Sequence, residues 1–340
     1  MIKVFIIDDS MLIRNIVNKV LKENKHIEII GEAPNPIDAM KIFQKTGLPD
    51  VFILDIEMPK MDGISFLKKL KDERPIPTII FSSIVNEGSS KAMEAFQYGA
   101  CDVILKPQKL NDALTNDFKE DFISKVRAAS RSKSVLSFDE NDSKYKRTEN
   151  NSDKIIAIGA STGGVQTIES IVKNLQPFHP PILITQHMPA GFTYSFASRL
   201  NKVCNNSTIK EAQEDDILES GHIYIAPGDL HLEVKLNNDN NYACTLKNYP
   251  KVSNHKPSVD VLFKSMSKIV SFNTVAFLLT GMGKDGAQGL KLIKEANGMT
   301  YGQDETSSIV YGMPKVAFEQ GFVQKQVNVS EIITLINEME

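Results

Sequence analysis

Short apolar runs alternate with helix-length amphipathic segments twice along this chain, and that alternation constrains the fold more than any other feature. In the first third the runs are residues 4–7, 27–30, 51–54, 78–81 and 103–105. Segments with apolar residues at helical spacing separate and follow them, at 12–21, 37–44, 64–70, 90–98 and 110–128. A run that is apolar throughout, and not merely at every second position, suits a strand covered on both faces. Five β/α repeats in about 125 residues predict a doubly wound parallel sheet with helices on both sides. Right-handed crossovers leave few topologies for it.

The texture changes near residue 131. The stretch 137–153 is polar, holds few apolar residues and has no periodicity. Such a segment buries too little surface to fix its own conformation. The division expected is therefore a first domain at 1–128, a linker at 129–153 and a second domain at 154–340. Two domains also suit a chain of 340 residues. From Lys154 the alternation resumes. Strands are expected at 155–158, 181–186, 223–226 and 274–279, and helices at 165–175, 192–203, 259–269 and 286–296. Residues 232–236 and 243–247, joined by a polar Asn/Asp run, read as a hairpin. Two short strands and a helix at 331–338 complete a second α/β domain with a mainly parallel sheet.

Lys and Arg total 39 against 42 Asp and Glu, a formal charge of −3 that argues against a dedicated nucleic-acid binder. The three cysteines, Cys101, Cys204 and Cys244, are widely spaced and form no Cys-x-x-Cys pair. A disulfide scaffold and a structural zinc site are both disfavoured, and a reducing cytosol is expected. The N-terminus runs directly into a strand-like segment with no secretory signal. No apolar stretch approaches the ~20 residues that span a bilayer. A soluble cytoplasmic protein without direct membrane insertion is expected.

Ligand sites in open parallel sheets form beyond the carboxyl ends of the strands. In the first domain those ends carry Asp8 and Asp9, then Asp55, then Ser82 and Ser83, then Lys106 and Pro107. Three carboxylates gathered at one edge repel unless a cation shares them. Their hard oxygens suit Mg²⁺, which also accepts phosphate oxygens. A carboxylate beside that ion is a plausible nucleophile toward a phosphoryl group, with the Lys106 ammonium and the Ser82 hydroxyl holding its oxygens. Each residue alone has a plainer reading: an aspartate at a strand end is often a helix cap, and a single lysine is often solvated.

In the second domain, strand 155–158 runs into Gly159-Ala-Ser161-Thr-Gly163-Gly164. Gly-x-Ser-x-Gly is the spacing of a nucleophile elbow. Small neighbours permit a sharp turn, and the amides opening the next helix suit an oxyanion. A Gly-rich turn also builds nucleotide sites, but neither a dinucleotide fingerprint nor a P-loop ending is present. A nucleophilic serine needs a base and an orienting acid. His187 follows strand 181–186, and Asp285 follows strand 274–279, so all three side chains fall just beyond strand ends. The order Ser, His, Asp differs from the Ser, Asp, His of α/β-hydrolases. A lone histidine after a strand, such as His187, also reads as a loop or cap residue, and Asp285 between glycines as a turn residue or cap; His255 could line a cleft but reads first as a loop or capping histidine.

Two resemblances then bear on function. Asp8-Asp9, the run from Asp55 to Gly63, Ser82 and Lys106-Pro107 resemble the response-regulator receiver domain. That resemblance implies that Asp55 accepts phosphate from a histidine kinase. It implies Mg²⁺ on Asp9, Asp55 and the Glu57 carbonyl, with Asp8 acting through water. Val103 stands where many receivers carry an aromatic switch residue. In the second half, Ile-Gly-Ala-Ser-Thr-Gly-Gly, Gln-His-Met-Pro, His-Lys-Pro-Ser-Val-Asp and Leu-Thr-Gly-Met-Gly-Lys-Asp-Gly-Ala resemble the chemotaxis protein-glutamate methylesterases, the CheB family. So does the segment that ends at Pro314. This resemblance implies Ser161 as nucleophile, His187 as base, Asp285 as orienting acid and the Thr162 and Met282 amides as oxyanion donors. It also implies methylated chemoreceptor cytoplasmic domains as substrate, a chemotaxis histidine kinase as phosphodonor and deamidation of receptor glutamine. No cofactor is implied for the ester chemistry. The family usually has His-Arg-Pro-Ser where this chain has His255-Lys256, and lysine lacks the bidentate fork of arginine. A response regulator whose second domain only binds is the rival, and it predicts a helix-turn-helix and a basic face.

Overall fold

The apolar runs are strands, and helices cover them on both faces. The computed structural model describes residues 1–83, 86–107, 109–132 and 152–339, in two compact units, Met1–Val135 and Leu136–Glu340. In the first unit, strands β1 (Ile2–Ile7), β2 (Ile27–Ala33), β3 (Val51–Leu54), β4 (Thr78–Ser82) and β5 (Ala100–Leu105) form one parallel sheet, ordered β2-β1-β3-β4-β5. Helices α1 (Met11–Lys22), α2 (Pro36–Thr46), α3 (Gly63–Glu73), α4 (Asn86–Ala95), α5 (Leu110–Ala113) and α6 (Asn116–Ser130) connect and follow them. Every residue of β3 and β4 is buried, which is why those runs lack polar alternation. Phe81 and Phe122 meet edge to face at 5.4 Å inside this core, and each buried ring contributes about 2–3 kcal/mol.

One expected helix, 110–128, is two. The Thr115 hydroxyl donates to the Asp112 carbonyl at 2.9 Å and accepts from the Phe118 amide at 3.4 Å. Those local bonds compete with helical ones and start α6 afresh. The expected linker lies largely at 133–151, outside the described residues.

The second unit holds a seven-stranded parallel sheet, β14-β13-β12-β6-β7-β9-β8. Its strands are β6 (Ile155–Ala160), β7 (Ile182–Gln186), β8 (Thr208–Glu211), β9 (His222–Ile225), β12 (Thr274–Leu278), β13 (Met299–Gln303) and β14 (Lys325–Val327). The hairpin, β10 (His231–Leu236) and β11 (Tyr242–Lys247), is a separate antiparallel pair. The helices are α7 (Gly164–Lys173), α8 (Phe192–Val203), α9 (Val259–Ile269), α10 (Ala287–Glu295), α11 (Met313–Glu319) and α12 (Val329–Asn337). The edge strand β8 buries only Ile209, so no apolar run announces it. Among the described residues, no helix is long and apolar enough to cross a membrane.

Both sheets reverse their winding beside the strands that carry the expected chemistry. In the first, β1 and β3 are neighbours while β2 lies on the far side of β1. In the second, β6 lies between β12 and β7. Crevices at such reversals are where open α/β sheets bind ligands.

Candidate functional site

Strand pairing sets the C-terminal site. Ala160 pairs with Gln186, and Leu278 with Gly159. One step further on, the His187 amide donates to the Ala160 carbonyl at 3.0 Å, and the Ser161 amide to the Thr280 carbonyl at 3.0 Å. Ser161 and His187 are therefore lateral neighbours at adjacent strand ends. The turn after Ser161 closes when the Gly164 amide donates to the Ser161 carbonyl at 2.7 Å. Gly163 sits at φ +80°, and a Cβ on Gly164 would lie 2.0 Å from Gln186 Oε1. Side-chain-free positions are required there.

His187 is buried, and its Nε2 lies 2.7 Å from Asp285 Oδ2. The Asp285 carboxylate also accepts from Ser258 Oγ at 2.7 Å, the Val259 amide at 2.7 Å and the Asp260 amide at 3.1 Å. It therefore sits on the N-terminus of α9, where the helix dipole favours an anion, and not on α10, the helix that follows it in sequence. Burial alone would raise its pKa, but His187, the Ser258 hydroxyl and the Val259 amide together hold it down at about 2. Burial and the charge of Asp285 push neighbouring Asp260 up to about 6. His187 Nδ1 is buried and has no hydrogen-bond partner, so Ser161 Oγ is not bonded to it in this structure.

Three contributors escaped sequence reasoning. Gln186 Nε2 donates to the carbonyls of Ser161 (2.9 Å) and His187 (3.2 Å) and ties the two loops together. Thr280 Oγ1 donates to the Thr162 carbonyl at 3.0 Å and accepts the Val310 amide at 2.8 Å. His255, expected as a loop or capping residue, stacks on the His187 ring with centroids 3.7 Å apart. No local signal marks it, because the contact spans 68 residues of sequence.

In the first unit Asp8, Asp9 and Asp55 each bring a carboxylate oxygen within 4.8 Å of the others. Lys106 Nζ lies 2.8 Å from Asp8 and 2.6 Å from Asp55. Burial outweighs that ammonium and pushes the Asp55 carboxyl up to about 6, and it raises Asp8 as well. Asp8 Oδ2 is buried, with the Lys106 ammonium 2.8 Å away as its ion-pair partner. Three hard carboxylate oxygens converging in this way fit Mg²⁺. A Cβ on Gly63 would lie 2.3 Å from the Asp55 carbonyl, so glycine lets α3 start against the loop that follows β3. Ser82 is buried at the end of β4, the Glu57 carboxylate pairs with Lys91 at 2.9 Å, and Val103 is buried in β5.

Residues 156–336 match the family described as CheB methylesterase, and residues 4–116 match the response regulator receiver domain. A protein-glutamate methylesterase/protein-glutamine glutaminase of Leptospira interrogans is 44% identical over 347 residues, covering 98% of each chain. The chain belongs to the CheB methylesterase family. A further relative, the protein-glutamate methylesterase/protein-glutamine glutaminase of Methylobacillus flagellatus, is 42% identical and covers 95% of this chain and 92% of its own. The crystal structure of the Thermotoga maritima CheB methylesterase catalytic domain matches with a TM-score of 0.51 and 37% identity, covering 98% of that chain and 54% of this one. This CheB chain thus joins a receiver domain to a methylesterase domain. Its Lys256 ammonium donates to Asn248 Oδ1 at 3.1 Å.

Proposed function

We propose that this chain removes methyl esters from glutamyl side chains on the cytoplasmic helices of a chemoreceptor, and deamidates receptor glutamines, using Ser161, His187 and Asp285. The observation that carries this reading is the state of His187. Asp285 occupies Nε2, so Nδ1 is the remaining basic nitrogen, buried, unpartnered and next along the sheet from Ser161.

Chemistry follows from that placement. Ser161 Oγ attacks the ester carbonyl as its proton passes to Nδ1. The imidazolium is stabilised across Nε2 by Asp285. The carbonyl electrons move to oxygen, where the amides of Thr162 and Met282 receive the charge. Collapse breaks the bond to the methoxy oxygen, which takes the proton from Nδ1 and leaves as methanol. A glutamyl ester of Ser161 remains. Water then attacks, its proton taken by Nδ1, and Oγ is expelled and reprotonated, releasing glutamate. With glutamine, ammonia leaves in place of methanol.

The receiver domain regulates this activity. Asp9 and Asp55, with the Glu57 carbonyl, would hold Mg²⁺, and Asp8 would reach it through water. When bound, the ion neutralises charge on the incoming phosphoryl group. Asp55 accepts that group from a phosphohistidine of a chemotaxis kinase, and Lys106 and Ser82 hold its oxygens. The unphosphorylated receiver restrains the esterase, and phosphorylation releases it. A cytoplasmic location follows from the substrate.

Methanol release from methylated receptor, with and without acetyl phosphate plus Mg²⁺, tests the whole reading. Phosphodonor is expected to raise the rate, and Ser161→Ala to abolish it while Asp55 is still phosphorylated. Wild-type release by the Ser161→Ala protein would remove the nucleophile.

A further inference from the structure

The segment after β11 folds into a tight turn over residues 252–255. The Val252 amide donates to the His255 carbonyl at 3.0 Å, and the His255 amide donates back to Val252 at 2.9 Å. Ser253 and Asn254 take φ of 53° and 67°, and short polar residues tolerate that left-handed region best. The turn delivers the half-buried His255 ring onto His187, with centroids 3.7 Å apart and planes 13° from parallel. Three residues on, Ser258 Oγ, the Val259 amide and the Asp260 amide grip Asp285. One short stretch of chain therefore touches both members of the His187–Asp285 pair.

A single hydrogen bond at Nε2 fixes one edge of the His187 ring but leaves the ring free to tilt about that bond. Nδ1 has no hydrogen bond to oppose the tilt. The flat contact with His255 opposes it. We propose that His255 is a positioning residue of the esterase, whose stacked ring holds the His187 plane so that Nδ1 faces Ser161. This rests on the assignment of His187 as base. His255 carries no proton in the reaction and acts only through the His187 ring.

The test compares His255→Leu, which removes the flat ring, with His255→Phe, which keeps it and removes both nitrogens. Two readouts are taken: steady-state methanol release from methylated receptor, and the rate at which a small serine-directed phosphonate labels Ser161. His255→Leu is expected to lower kcat and the labelling rate about 10–100-fold with KM unchanged, the scale of a misplaced reacting group. His255→Phe is expected to recover most of both. If the Leu protein fails to fold, His255→Asn replaces it with the same expectation. Wild-type labelling and kcat in the ring-less variant would overturn the proposal. So would a Phe variant as impaired as the Leu variant, because the nitrogens and not the flat ring would then matter. Wild-type protein that labels with phosphonate but releases no methanol overturns the receptor ester as substrate, while the labelling comparison still judges His255.

Discussion

His187 meets Asp285 through Nε2, at 2.7 Å, which leaves Nδ1 as its buried, unpartnered nitrogen. In trypsin-like enzymes the acid holds Nδ1 and Nε2 serves the serine. Here the free nitrogen is the one nearer the main chain. The His187 amide is bonded to the carbonyl of Ala160, the residue before Ser161. Sheet pairing itself therefore fixes the spacing from Ser161 to His187, and Asp285 is brought to the far edge of the ring from a third strand.

Asp285→Asn tests the acid. An amide cannot stabilise an imidazolium, and its N–H₂ would face the donors Ser258 and Val259 or the ring. A fall in kcat of roughly 10³–10⁴ is expected, by analogy with the same change in trypsin-like enzymes. Methanol release measures it, and a loss smaller than about tenfold would contradict the role.

Ser258→Ala removes one donor from a buried carboxylate. The cost expected is about 1.5–3 kcal/mol in unfolding free energy, the range for hydrogen bonds to charged groups. Because Asp285 is held at about 2 partly by this bond, its loss raises that pKa. Asp285 stabilises the fold above its ordinary pKa, and the contribution disappears as pH falls through the folded value. Acid unfolding of the variant should accordingly begin at higher pH, as a pH titration of circular dichroism will read.

Asp55 carries the opposite sign. Its folded pKa, about 6, lies above the ordinary 3.8. Below about pH 4 the group is neutral in both states; between there and pH 6 the folded receiver loses stability as pH rises. Asp55→Asn should stabilise the receiver at pH 7 by on the order of 1–3 kcal/mol and change nothing below about pH 4. Urea unfolding at the two pH values checks this. Mg²⁺ should stabilise wild type at pH 7 and the variant much less.

Gly159→Ala places a methyl 2.2 Å from Val259 Cγ1. Val259 opens α9, whose amides hold Asp285. A strain of about 1–3 kcal/mol is expected, with a drop in kcat as α9 shifts. Thermal melting alongside methanol release separates the two effects, and an unchanged melting temperature would argue that the contact yields freely.

If the receiver restrains the esterase as proposed, removing residues 1–153 should raise basal methanol release. Unchanged or lower activity in a folded second unit would reject restraint by the receiver.

Much of this arrangement is legible in the sequence. The runs at 51–54 and 274–279 read as buried strands because burial on both faces removes polar alternation, and both are strands. Asp8, Asp9 and Asp55 all stand at the carboxyl ends of strands expected in one parallel sheet, and their carboxylates do converge. β8 was missed because an edge strand with one buried residue has no periodic signature. The break at Thr115 was missed because a hydroxyl cap inside a helical pattern competes with propensity only once its partners are placed.

Sequence by itself determined the two α/β units, the strand ends that carry Ser161, His187, Asp285 and Asp55, and the small residues that sharpen the Gly159–Gly164 turn. Those properties are local: hydrophobic period, backbone freedom and residue type. Tertiary structure alone decided which imidazole nitrogen the acid takes, that Asp285 caps α9 and not the helix after it, and that His255 lies flat on His187. Each of these depends on how segments tens of residues apart pack across a sheet edge. Distances and ring orientations there follow from summed packing, which no short stretch of sequence encodes.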